Sequence, residues 1–313
     1  MDKLFDKLAE LPAWAVAAGI VLQTLQTVLA ALVWFGILRA ALPRAEFRFR
    51  LVLASYAAAV ALNGFLPANI GTFVMLVMFT TLIAGATFAM MVSALIVEKI
   101  PFSIFNIAVY LYLFLSVSGS FSVKLGFISE HQALVVLIAV GALVLVALLA
   151  RVFWDRLEGL RTQLLAGGAI LRTPRRALVR VGLPALGSYA ARLAVVGIFL
   201  AAYEIPVSFH NIATVTASNS ISNSVSATPG GVGVTQALNT TALSGSTDAA
   251  TATAYSISQQ LVTTAWNVVL ATILVSWVFG WSGGRRLVES SYEDAKVKSR
   301  EMKGRRQSGS SPE

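Results

Sequence analysis

The chain has 313 residues, 57% hydrophobic and 12% charged, with a net charge of +9 and no cysteine. A soluble domain carries about 25% charged residues, and several apolar stretches here exceed the ~20 residues that cross a bilayer, so a soluble enzyme is excluded, as are disulfides and thiolate metal sites. Nineteen of the 24 Lys and Arg fall in three clusters beside apolar runs, at 39–50, at 151–180 and from 285 onward; they read as positive-inside marks on an anionic membrane surface and not as nucleic-acid contacts.

Taken in order, the chain reads as an all-α polytopic bundle forming one membrane domain over 1–283, followed by a basic cytoplasmic tail, 284–313, largely disordered. Asp2 to Leu11 is a short interfacial helix. The first span runs from Ala13 to Leu38, with Gln23 and Thr27 on one face that looks at other helices. Leu51 to Leu66 is a short second span, ending in Asn63-Gly64-Phe65-Leu66-Pro67-Ala68-Asn69-Ile70-Gly71. Thr72 to Val97 is the third, bounded by Glu98-Lys99 and Pro101. Phe102 to Val123 and Ala133 to Ala150 follow. Trp154 to Leu171 has an apolar face and reads as a surface-lying amphipathic helix. The sixth span, Gly182 to Tyr203, contains Arg192, and the last apolar run is Ala250 to Trp281.

Between these last two lies a hydroxyl- and amide-rich stretch, Ser218 to Leu243, interrupted by Pro229-Gly230-Gly231-Val232-Gly233. Backbone facing lipid must be hydrogen-bonded within its own segment. One Pro and three Gly in five residues prevent that, so the stretch reads as a re-entrant hairpin enclosed by protein and lining a polar cavity. With the basic clusters inside, seven spans and one hairpin satisfy the charges, or nine spans if the hairpin crosses fully. Pro67-x-x-x-Gly71 and Pro229-x-x-x-Gly233 echo each other, each after an Asn (Asn63, Asn223), and approach from opposite sides. That pattern marks an inverted repeat whose broken helices meet near the midplane, with the free N–H groups after Gly71 and Gly233 suited to a phosphate.

The segment Thr228 to Ala237 resembles the Pro-Gly-Gly-Leu-Gly-Val-Arg-Glu-Ala signature of the lysylphosphatidylglycerol synthase transmembrane region, also called flippase-like. Asn63 to Gly71 looks like that family's upstream Asn-x-x-x-Pro element, and Glu98-Lys99 like its Glu-Arg. Two departures stand out: Thr235-Gln236 replace the usual Arg-Glu, and Gln259-Gln260 replace a usual Arg. Acid and base are lost together, as expected of a pair. The resemblance implies movement of a lipid between leaflets, anionic, aminoacylated or polyprenyl-linked, without the aminoacyl-transfer domain of the bifunctional members.

The candidate substrate-binding set is Arg192, Asn63, Pro67, Gly71, Asn223, Pro229, Gly230, Gly231, Gly233, Gln236 and Gln260. Arg192 lies roughly 15 Å into its span, where a charge needs a partner. A headgroup phosphate would serve, and so would backbone carbonyls. His210 reads as interfacial. The Ser/Thr/Asn ladder from Ser208 to Thr228 bonds its own helix in part and lines a polar path in part. Only two His occur, at 131 and 210, and no metal-binding, nucleophile or P-loop motif is present, so neither an enzyme nor a cofactor is expected. The partner expected is a phospholipid or polyprenyl-phosphate-type lipid moved through an enclosed cavity. An accessory subunit working with an envelope-synthesis protein, or a small-molecule exporter, is the alternative. The expected location is the plasma (inner) membrane of a bacterial envelope, and the charge pattern puts the N-terminus outside and the C-terminus in the cytoplasm. Reporter fusions at Met1 and Glu313 are expected to read outside and inside respectively; a cytoplasmic Met1 would remove the inverted-repeat argument.

Overall fold

The computed structural model describes residues 11–66, 69–117, 165–225 and 229–280. Among these residues there is no strand. The helices are α1 (Ala13–Ala41), α2 (Phe49–Asn63), α3 (Ile70–Leu82), α4 (Phe88–Val117), α5 (Pro174–Ala202), α6 (Phe209–Val225), α7 (Val234–Ala242) and α8 (Ala249–Phe279). Of these, α1, α4, α5 and α8 are long and apolar enough to cross a membrane. By contrast α2, α3 and α7, at 15, 13 and 9 residues, rise about 22, 20 and 14 Å, short of the ~30 Å hydrocarbon core.

The short helices pair off. α2 and α3 form a hairpin, and Leu42, at the end of α1, lies beside Gly85, just after α3. The Asn63 amide donates to the Thr72 hydroxyl (3.2 Å) across its closed end. α6 and α7 form a second hairpin around the turn at Pro229–Gly231. The described chain is therefore one pattern used twice: long helix, hairpin, long helix in α1–α4, and again in α5–α8. α1 and α5 form the most extensive helix pair. Gly19 meets Phe199, the Ser188 hydroxyl donates to the Gln26 carbonyl (3.1 Å), and Gly36 meets the Arg180 carbonyl, so the two helices run antiparallel. Opposite first helices and matching hairpins are the geometry of an inverted repeat. Each half has its own apolar core. Trp34, Met75, Leu76 and Phe79 centre the first; Phe199, Leu200 and Tyr255 centre the second.

Local chemistry explains the element ends. Asp248 caps α8, accepting from the Ala250 and Thr251 amides and from the Thr251 hydroxyl; that hydroxyl and the backbone donors hold its carboxyl below the usual carboxylate range. α6 is helical despite its Ser and Thr because Thr214, Thr216 and Ser220 turn their hydroxyls onto the carbonyls four residues back. Outward-facing Leu261, Ile273 and Trp277 on α8 present the apolar surface that hydrocarbon requires.

Several expected boundaries move. Leu51–Leu66 and the first part of Thr72–Val97 are not two crossings but the arms of the first hairpin. The break expected at Glu98–Pro101 is absent. It falls instead at Ile83–Thr87, where Gly85 takes φ +79 and the Thr87 hydroxyl accepts from the Met90 amide to start α4. α4 then runs through Pro101 without interruption, which places Glu98 and Lys99 inside a membrane-length helix and not in a loop. Of the segment Trp154–Leu171 only its end is described, and there Ile170 is buried in the first core while Leu165 and Leu171 are exposed. The interfacial helix at 2–11, the span at 133–150 and the tail at 284–313 lie outside the described residues.

The closed end of the first hairpin depends on Gly71. A Cβ there would overlap the Ala59 carbonyl oxygen and sit 2.7 Å from Asn63 Oδ1. Gly71→Val is expected to cost about 1–3 kcal/mol, read as a lower thermal midpoint in detergent. Gly245→Ala, whose Cβ would meet nothing within 4 Å, is expected to leave the midpoint unchanged.

Candidate functional site

The two hairpin tips converge. A Cβ on Gly230 would lie 2.6 Å from the Gly64 carbonyl oxygen, and Gly230 and Gly231 take φ +62 and +71. Glycine supplies both the left-handed backbone and the close approach. α8 passes beside this junction, and its Gln260 side chain donates from Nε2 to the Gly230 carbonyl.

Around the junction lies a cavity of about 380 Å³. Its walls carry ten carboxamide side chains, four hydroxyls and one charged group, Arg192. So polar a wall in a protein this apolar is a place for a ligand or water, not a packing defect. Arg192 sits ten residues from the end of α5 and donates to the Ser220 hydroxyl of α6 (3.3 Å). Among the described residues no carboxylate pairs with it. α8 contributes a stripe at helical spacing, Ser256, Gln260, Thr263 and Asn267. α1 contributes Gln23 and Gln26; Gln23 donates to the Asn267 side-chain oxygen (3.0 Å), so one residue both packs α1 onto α8 and lines the cavity.

The candidate residues divide accordingly. Arg192, Asn63, Asn223, Gly230, Gly231 and Gln260 line the cavity. Gly71 does not; it serves the α2–α3 contact. Gly233, at φ +90, is also outside the lining, and its N–H is taken by Gln236 Oε1 (2.6 Å), so the free donor expected there is already used to cap α7. Gln236 stands one step behind the wall: its Nε2 donates to Gln260 Oε1 (2.6 Å). Pro229 opens the turn of the second hairpin, and Pro67 lies outside the described residues. His210 is exposed. The hydroxyl ladder divides as well: Ser222 meets Thr235 (2.6 Å) and Asn219 accepts from Asn239 (3.0 Å) across the hairpin, while other rungs bond their own helix.

The sequence reading missed Asn69, Ser256, Thr263 and Thr264, and had Asn219 only as part of the hydroxyl ladder. The positions 256, 260, 263 and 267 were a detectable signal: they repeat at three and four residues inside an apolar run. It also missed the burial of Glu98. That carboxylate is 5% exposed and pairs with the exposed Lys99 at 3.0 Å, and the Tyr56 hydroxyl of α2 lies within electrostatic reach of both Glu98 and Arg192.

A chain of neutral bonds thus fixes the second hairpin to α8: the Gly233 amide to Gln236, Gln236 to Gln260, and Gln260 to the Gly230 carbonyl. Gln260→Leu leaves two polar groups without partners, a loss of about 1–3 kcal/mol, expected as a lower thermal midpoint. Pairing Gln236→Glu with Gln260→Arg is expected to recover most of it, because a charge-assisted bond then occupies the same gap.

The family model described as the lysylphosphatidylglycerol synthase TM region matches residues 1–281. No curated protein and no solved structure matches the chain.

Proposed function

Because the chain belongs to the lysylphosphatidylglycerol synthase TM region family, we propose that it moves a phosphate-bearing lipid between the leaflets of the plasma membrane. The observation that carries this reading is the cavity itself: a polar space at the meeting of two broken helices, with Arg192 in its wall and no carboxylate among the described residues to neutralise it. A phosphate would supply the missing anion, and the carboxamides would take the headgroup. On this reading the tip of α2–α3 reaches the site from the cytoplasmic side and that of α6–α7 from outside. A purely accessory subunit has no use for such a cavity. The sequence carries no P-loop motif, so on this reading movement runs downhill, is coupled to an ion, or is drawn by a partner that consumes the lipid.

In proteoliposomes holding a fluorescent phospholipid, Arg192→Leu is expected to reduce transfer to the protein-free rate with the thermal midpoint retained, since an apolar residue is cheap to bury there. Gly231→Val is expected to reduce transfer as well, with a lower thermal midpoint, by forcing a branched side chain into a left-handed backbone. Undiminished transfer by folded Arg192→Leu protein would make the arginine structural.

A further inference from the structure

We propose that the cavity selects a lipid whose headgroup carries one negative charge and no ammonium group, its remainder being an uncharged, hydroxyl-bearing polyol or sugar. This inference rests on the reading that the cavity holds a lipid headgroup. It follows from counting charge and hydrogen-bonding capacity in the wall.

Charge comes first. Arg192 is the one ionised side chain in the lining among the described residues. Residues 67–68 and 226–228, which adjoin lining residues in the sequence, read Pro-Ala and Ser-Ala-Thr and carry no charge. Glu98 lies outside the lining and is already paired with Lys99. A phosphodiester brings one negative charge, so it and Arg192 neutralise each other. An amine-bearing headgroup, zwitterionic or aminoacylated, brings an ammonium group as well. The wall then holds a second cation with no carboxylate among the described residues to meet it, and an uncompensated charge in a partly enclosed site is disfavoured. The position best placed to have carried a compensating acid, Gln236 behind Gln260, is an amide.

Hydrogen-bonding capacity sets the second half. Asn239 is 1% exposed, and its Nδ2 is committed to Asn219 Oδ1 and Ser256 Oγ, both at 3.0 Å. Its Oδ1 is buried without a partner. A buried acceptor in that state calls for an O–H or N–H donor. The carboxamides of Asn69, Asn223 and Gln259 also line the space and make no side-chain hydrogen bond among the described residues. A carboxamide both donates and accepts, and so does a hydroxyl. A polyol satisfies such a wall without bringing charge into it.

The test compares three lipids with fluorescent tails in proteoliposomes: phosphatidylglycerol, phosphatidylethanolamine and lysylphosphatidylglycerol. Phosphatidylglycerol is expected to cross at least tenfold faster than either amine-bearing lipid. Gln259→Glu and Asn223→Asp, which put a carboxylate into the wall without breaking a side-chain hydrogen bond, are each expected to shrink that ratio by tenfold or more. Equal wild-type rates for the three, or ratios unmoved in both folded variants, overturn the inference and leave the lipid-moving function standing. If no lipid moves at all, the proposed function falls, and retention of each lipid through native mass spectrometry decides the inference: preferential retention of phosphatidylglycerol supports it, and equal retention overturns it. Binding of soluble glycerophosphoglycerol by protein that retains no phosphatidylglycerol would also overturn it, by showing that the ligand is not a lipid.

Discussion

The meeting of Gly230 with the Gly64 carbonyl is the contact on which the rest of the structure depends. Hydrocarbon offers no hydrogen bonds, so a helix that stops inside it must place its free backbone groups against protein. Two helices that stop at the same place shield one another, provided their backbones come close. The first hairpin supplies a carbonyl and the second a residue with no side chain. α8 then closes the flank, because Gln260 satisfies the Gly230 carbonyl. The cavity exists because the helices end here, and it is polar because ends cannot be otherwise.

Much of this was legible in the sequence. The Pro and Gly around Pro229 cannot continue a lipid-facing helix, and the echo at Pro67 indicated a second break meeting the first. Arg192 stood out because charge is rare inside an apolar run. The first hairpin was harder to see. Its arms and α4 form nearly unbroken apolar sequence from Thr72 to Val97, and periodicity does not show where a buried helix turns back. Gly85 and Thr87 held that information as a left-handed residue and a helix cap, but Glu98, Lys99 and Pro101 were the stronger apparent stop. Proline did not end the helix there, and Glu98 is buried and paired with an exposed Lys99. The polar lining of α8 was diluted by its apolar neighbours, so Gln260 was singled out without the helical repeat that joins it to Ser256, Thr263 and Asn267.

The Gln236–Gln260 bond clarifies the departures from the family pattern. Positions that resemble an acid and a base elsewhere touch each other here as two amides, 2.6 Å apart. The architecture needs a bond across that gap, since it holds α7 against α8 and the Gly230 turn in place. It does not need charge. An amide pair keeps the bond at any pH and adds no net charge to the wall of the cavity, which leaves Arg192 to set the field alone.

The stripe of Ser256, Gln260, Thr263 and Asn267 has a dynamic consequence. Over eleven residues it rises about 16 Å, roughly half the hydrocarbon thickness. On the proposed reading, polar groups spaced about one helical turn apart would give a headgroup successive partners along this rise, and several weak contacts in place of one deep trap would make selectivity a matter of how fast a lipid passes more than of how firmly it is held.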